Sequence, residues 1–460
     1  MDNAQKITHV LDRLSLGPRP GDRTQVERMG IERYIQTQLN PQPENLPNPL
    51  KRTLGAFSTL KLSPIELHTQ YGPPPRNASM QQREAAQMRQ RQVVQETLQI
   101  RIHKALENPN QLQEVMTDFW FNHFNVFLDK GITRIWVGVY EKDVIRPYAL
   151  GKFRNLLGAT AKHPAMAFYL DNWRNTDPNS NRARGQFKGL NENYARELLE
   201  LHTMGVEGGY TQADVESLTR ILTGWGLVRT QGQGNHDGSG FQFQPRRHDS
   251  SDKTFLGQSI PGGGIDEGET ALDMLAQHPS TAQHISYKLA QHFVSDTPPE
   301  GLVNRLAERF LASDGCIQSV LQTLFADDAF WQDDYYQTKF KTPYQFMLSM
   351  ARGAGISSPE ENVVRRLLGS LNQLGMPLYR CRTPDGYAQV ESAWLNPDAL
   401  LRRISFARAV VNMKGEKPEI TDLLATLGNQ FSPETLSVVN SARPGIQSFL
   451  LLGSPEMMYR

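Results

Sequence analysis

Seven side chains are candidates for chemistry. Glu197, Glu200, Arg196 and Asp249 suit catalytic roles, and His123, His202 and His248 suit metal ligation. Imidazoles can hold a divalent transition metal or a haem iron. Paired carboxylates can divide acid and base work or hold a cation. His123 lies in Asp118-Phe119-Trp120-Phe121-Asn122-His123-Phe124. On a helix it shares an apolar face with Phe119, Trp120, Val126 and Phe127, so it is expected to be buried. Burial among aromatics favours the neutral ring. The same placement also fits a core histidine satisfied by one or two hydrogen bonds.

His202 closes Asn191-Glu192-Asn193-Tyr194-Ala195-Arg196-Glu197-Leu198-Leu199-Glu200-Leu201-His202. At 100° per residue, Tyr194, Ala195, Leu198, Leu201 and His202 form one arc. Asn193, Arg196, Glu197 and Glu200 form the opposite one. Glu200 and His202 are then about 160° apart and cannot share an ion unless the helix unwinds. Met204-Gly205 marks where it could end. The polar arc also fits a solvated face with an Arg196–Glu200 ion pair.

Two further pieces have weaker signals. His248-Asp249 sits in a Gly-rich loop after Arg246-Arg247, where it could supply a ligand, a base or an anion contact. Lys339 and Lys341 precede Pro343 and read as surface lysines able to neutralise an anion. Thr211 and Asp214 read as a capping box before the stripe Val215, Leu218, Ile221, Leu222 and Trp225, which is architecture. Pro384-Asp385-Gly386 is a turn. The run 262–264 lacks the Lys-Ser/Thr of a phosphate loop, and no nucleophile elbow, His-Glu-x-x-His helix or dinucleotide fingerprint occurs.

Helical spacing must position these residues. Helices are expected at 3–14, 23–40, 79–106, 111–128, 143–150, 163–171, 191–203, 212–226, 268–276 and 280–293. They continue at 300–311, 315–325, 340–353, 359–372, 397–412, 418–425 and 432–450. The helix at 79–106 is largely polar all round, a pattern that suits a partner face. Thr133–Tyr140 is the clearest strand-like stretch. Residues 172–190 and 229–264 read as long irregular loops. The fold class is therefore mainly α: one large multi-helical unit over 1–460, with a C-terminal helical lobe possible from about residue 335.

Composition narrows the partners. The 460 residues carry 49 Lys+Arg against 48 Asp+Glu, a net charge of +1, which argues against a nucleic-acid-binding surface. Mean hydropathy is -0.51, and no apolar run approaches a membrane span. Two cysteines, Cys316 and Cys381, exclude a disulfide framework. No signal peptide is evident at the N-terminus, which points to the cytoplasm.

The segments HVLDRLSLGPRPGD (9–22), FWFNHFNV (119–126), LDN (170–172) and NENYARELLELHTMGVEGGYTQADV (191–215) occur in this order. RILTGWG (220–226), HDSSDKTFLG (248–257), HPSTAQHISYKLAQHFVSD (278–296) and KFKTPYQF (339–346) follow. Nearly the whole chain so resembles the bacterial family called domain of unknown function 1800. The resemblance implies a fold-level grouping and no catalytic assignment. It also implies that relatives are often exported and accompany an alkaline-phosphatase-like protein, a partner this chain could share.

Two functions follow as expectations. One is a metal- or cofactor-dependent enzyme. If helices 111–128 and 191–203 pack face to face, His123 and His202 approach in the core; if the polar arc lines a pocket instead, Glu197, Glu200 and His248 form a hydrolytic site. The other is a non-catalytic binding or assembly protein.

Overall fold

The structure is a computed structural model of the chain that describes all residues except 43–44, 229–237, 414–416 and 429. It is mainly α, as the periodicity predicts. The first helix, Asn3–Leu14, starts at a capping box: Asp2 accepts from the Gln5 backbone at 2.7 Å, and Gln5 accepts from the Asp2 backbone at 2.8 Å. Ile7, Val10, Leu11 and Leu14 face inward at the predicted spacing. One cluster of buried apolar side chains runs from Ile7 to Met458. Contacts across residue 335 tie into it: Arg101 donates to the Tyr344 hydroxyl at 2.9 Å, and Arg352 to the Leu106 carbonyl at 2.7 Å.

Several elements differ from the sequence expectation for identifiable reasons. Thr133–Tyr140 is a helix, not a strand. Ile135, Val137, Val139 and Tyr140 are all buried, so an apolar stretch rich in β-branched residues is enclosed on several sides and tertiary packing overrides propensity. Gly138 lets it cross the long helix Met80–Glu107 closely, since a Cβ there would lie 2.4 Å from Thr97 Oγ1. The expected helix 23–40 breaks into Asp22–Met29 and Ile31–Leu39 at Gly30, whose φ of 83° is left-handed. Helix 212–226 stops at Ile221. Trp225–Leu227 then pairs antiparallel with Phe241–Phe243, and Lys253–Phe255 with Gln258–Ile260. The expected loop 229–264 thus contains strands, with 229–237 outside the described residues. The long helix is not solvated all round: in its second half Ile100, Ile102 and Leu106 are buried, and so are Arg101 and Glu107.

A buried ionic network joins that helix to the aromatic helix Gln111–His123. Arg101 contacts Glu141 and Asp118, each at 2.8 Å, and Arg146 reaches Glu141 at 2.9 Å and also pairs with Glu114. Burial pushes the Glu141 carboxyl up, but Arg101, Arg146 and the Tyr379 hydroxyl outweigh it and hold it at about 2. Lys339 and Lys341 are buried rather than on the surface. Lys339 pairs with Asp296, and Lys341 donates to the Met457 carbonyl at 3.1 Å. Burial brings both ammonium groups down to about 8.

Candidate functional site

The aromatic helix ends where its own side chains are recruited elsewhere. Trp120 is fully buried and donates to the Ala149 carbonyl at 2.9 Å. His123, in the last turn, faces inward and packs against Phe119, Trp120 and Phe124. Its Nε2 lies 3.1 Å from the His202 carbonyl, so the proton sits on Nε2. Nδ1 is buried and has no hydrogen-bond partner among the described residues.

His202 comes from a helix that changes pitch. Asn193–Glu197 is α-helical, and Leu198–His202 is a π turn. The Thr203 hydroxyl bonds the Leu198 carbonyl at 2.6 Å, and the Gly205 amide the Leu199 carbonyl at 3.1 Å, which closes the wide turn. This turn brings the His202 ring to 6.1 Å from that of His123. The two rings approach at the ends of their helices, by way of a turn that is not regular α helix. Widened turns of this kind recur at functional sites.

Helix Pro279–Phe293 adds two groups that sequence reasoning passed over. The His284 ring is 6.2 Å from His123, and its Nε2 lies 3.3 Å from the Leu201 carbonyl. Lys288, one turn later on the same face, is half-buried. Burial, then the Lys288 charge, lowers all three imidazoles: His123 well below the ordinary range, His202 to about 3 and His284 to about 4. Burial also lowers the Lys288 ammonium, opposed only by the charge of Asp385.

Asp385 arrives on a segment fastened to the end of the aromatic helix. Asn122 donates to the Tyr387 carbonyl at 2.8 Å and accepts from the Tyr387 amide at 2.7 Å. Asn125 donates to the carbonyls of Thr383 at 2.8 Å and Cys381 at 3.1 Å. Gly386 has φ +75°, and a Cβ there would lie 2.3 Å from the Asn122 carbonyl oxygen. Gly209 has a similar φ, +87°, but open space around it. Gly386→Ala is therefore expected to cost at least about 2 kcal/mol more than Gly209→Ala, which meets only the roughly 1–2 kcal/mol left-handed penalty. Urea denaturation of the two variants checks this; equal losses would contradict the close approach.

Glu197 is half-buried. Its carboxyl is raised by burial first, then by Glu200 and Asp385. Arg196 pairs with Glu192 at 3.0 Å and with Glu200 at 3.5 Å, and Glu200 also meets the Tyr210 hydroxyl. The histidine face and the carboxylate face are linked electrostatically through Lys288 and Asp385.

His248 and Asp249 belong to a different network. His248 Nε2 meets Glu267 at 2.8 Å, and Nδ1 meets the Thr223 carbonyl at 2.9 Å, so oxygen partners take up both ring nitrogens. Lys253 completes the cluster on Glu267 at 2.6 Å. Asp249 accepts from Ser251 and pairs with Arg220 at 3.0 Å. Among the described residues no hydrogen bond or ion pair joins His248 to Glu197 or Glu200. Among the described residues no three His, Cys, Asp or Glu side chains are grouped to hold a metal. His284 and Lys288 are four apart on one helix face, a spacing that on its own reads as a partly solvated face, and Asp385 lies in a turn with no chemical signature of its own.

A family model described as protein of unknown function (DUF1800) matches residues 9–459. This chain belongs to that family. The DUF1800 match takes in every residue of the site, from His123 to Asp385. Comparisons of this DUF1800 chain with curated proteins and with solved structures gave no match. Among its described residues no helix is long and apolar enough to cross a membrane.

Proposed function

We propose that this DUF1800 chain is an enzyme that moves protons on a small polar substrate at the Lys288 cluster. One observation carries the reading: a half-buried ammonium beside three imidazoles, with no ion pair to Lys288 among the described residues. Burial makes Lys288 easier to deprotonate, while burial and two neighbouring carboxylates make Glu197 harder to ionise. A base and an acid brought toward each other in this way suit proton abstraction and return, as in an isomerisation or elimination. Lys288 takes the proton and Glu197 supplies one to the substrate's developing oxyanion. Asp385 tunes both groups, and Arg196 keeps Glu200 in place. A metal- or haem-dependent form has support from His123 Nδ1 and His202 Nε2, which are buried and have no hydrogen-bond partner among the described residues. Two imidazoles fall short of the three protein ligands usual in a catalytic zinc site.

The test has two parts. Competitive acetylation against pH, read by mass spectrometry, is expected to show Lys288 becoming reactive at a lower pH than a lysine in a short model peptide. Untargeted metabolite consumption by the wild type is expected to vanish in both Lys288→Met and Glu197→Gln. Lys288 titrating together with the model peptide, or consumption that survives both variants, sinks the proposal. A binding or assembly role, with an alkaline-phosphatase-like protein among the candidate partners, is the second reading. It is favoured by Met80 and Met88, which are exposed on the polar part of the long helix.

A further inference from the structure

A groove of about 570 Å³ lies between the long helix Met80–Glu107 and the helix Glu361–Gln373 and is lined by none of the residues of the Lys288 cluster. Its floor is apolar: Val94, Leu98, Leu128, Val364 and Leu368. Its rim carries Arg91, Arg134, Arg365 and Arg380 against only two acids, Asp129 and Glu361. Both acids are engaged. Arg380 faces Asp129 at 3.5 Å; Arg365 meets Glu361 at 3.1 Å, and Gln95 meets the same carboxylate at 2.8 Å from the facing helix. Arg91 and Arg134 have no ion pair among the described residues; the Arg134 Nε donates to the Gly131 carbonyl at 3.0 Å. Two guanidinium charges are therefore left over an apolar floor.

We propose that this groove binds one small anionic amphiphile, a carboxylate with an aliphatic body. The volume falls within the roughly 300–1,000 Å³ range of small-molecule sites. The floor takes the hydrocarbon, and burying it supplies most of the affinity. Guanidinium groups match a carboxylate bidentately, so the two uncompensated arginines select the head group. A neutral or cationic analogue keeps the apolar contact and loses the charge match. The site shares no residue with the proton-transfer cluster, so its occupancy is independent of Lys288.

Octanoate, octanol and octylammonium are the probes, titrated calorimetrically into the full chain. Octanoate is expected to bind one to one, at least about tenfold tighter than either analogue. Arg91→Glu combined with Arg134→Gln is expected to weaken octanoate about tenfold or more and to leave octanol nearly unchanged. Arg91 is exposed and has no ion pair, so Arg91→Glu alone gives a smaller loss in the same direction without threatening the fold. Lys288→Met leaves octanoate binding intact. Equal affinity for octanoate and octanol, octanoate binding unmoved by the double variant, or no octanoate binding at millimolar concentration would each overturn the proposal.

Discussion

Acidification from pH 7 to below pH 5 is expected to unfold this protein, with stability falling steeply once the pH passes 6.5. The cause is a set of buried histidines. His123 is lowered well below the ordinary range, His163 and His202 lie at about 3, and His284 at about 4. Burial is the largest cause in each case. At pH 7 these rings are neutral in the folded state and mostly neutral in the unfolded one, so their pH dependence is weak there. Between 6.5 and their folded values the unfolded chain takes up protons that the folded chain refuses. The unfolded state then binds more protons, and stability falls as pH falls. At pH 5 each such histidine costs about 2 kcal/mol. Four of them together cost about 8 kcal/mol, a large share of the roughly 5–15 kcal/mol that holds a domain folded. Asp12, Asp118, Asp143 and Glu197, raised by burial first, act in the opposite direction, whereas His9 and His292, lowered well below the ordinary range by burial, add to the four. Urea midpoints measured at half-unit steps from pH 7.5 to 4 check the outcome. A flat profile down to pH 5 would mean that these rings reach solvent or titrate normally.

Glu141→Ala is expected to cost about 3–5 kcal/mol at pH 7, the loss typical of removing one partner from a buried pair. Glu141 accepts from Arg101, Arg146 and Tyr379, and both guanidinium groups stay charged in the core without it. Its carboxyl is held at about 2, so its stabilisation is complete above the ordinary carboxyl value near 4.5 and is lost as pH falls from there toward 2. That window lies below most of the histidine window, so the two effects separate on a pH axis. As a control, Asp398→Ala removes only the exposed i,i+4 pair with Arg402 and is expected to cost under about 0.5 kcal/mol. Guanidine denaturation of both variants is the measurement. A loss below 1 kcal/mol for Glu141→Ala would show that water reaches the two arginines.

Much of the helical order was readable because one apolar face recurs along each element. Ile7, Val10, Leu11 and Leu14 are the plain case, and the match at Pro279–Phe293 is another. Thr133–Tyr140 was misleading because Ile, Val, Trp and Tyr fit either a strand or a helix enclosed by neighbours. The end of the aromatic helix at His123, rather than 128, had no local marker. Asn122 and Asn125 are bonded there to residues 381–387, far along the chain. In the site itself, the approach of His123 and His202 followed from two apolar arcs. Lys288 was hidden because a lysine on a helix ordinarily reads as solvated. Lys339 and Lys341 were misread for the same reason, since only the fold sets Asp296 beside the first and the Met457 carbonyl beside the second.

The π turn at Leu198–His202 makes the site depend on chain length as well as on side-chain identity. Such a turn is an α turn carrying one extra residue. A chain shorter by one at this point would close as ordinary α helix, and everything after the missing residue would rotate by about 100°. The imidazole could then remain in the sequence and still point away from His123. Within the family, a one-residue gap at this turn would therefore separate chains that keep the paired imidazoles from chains that carry the same letters in another geometry. Position-by-position identity scores would register almost no difference between the two groups.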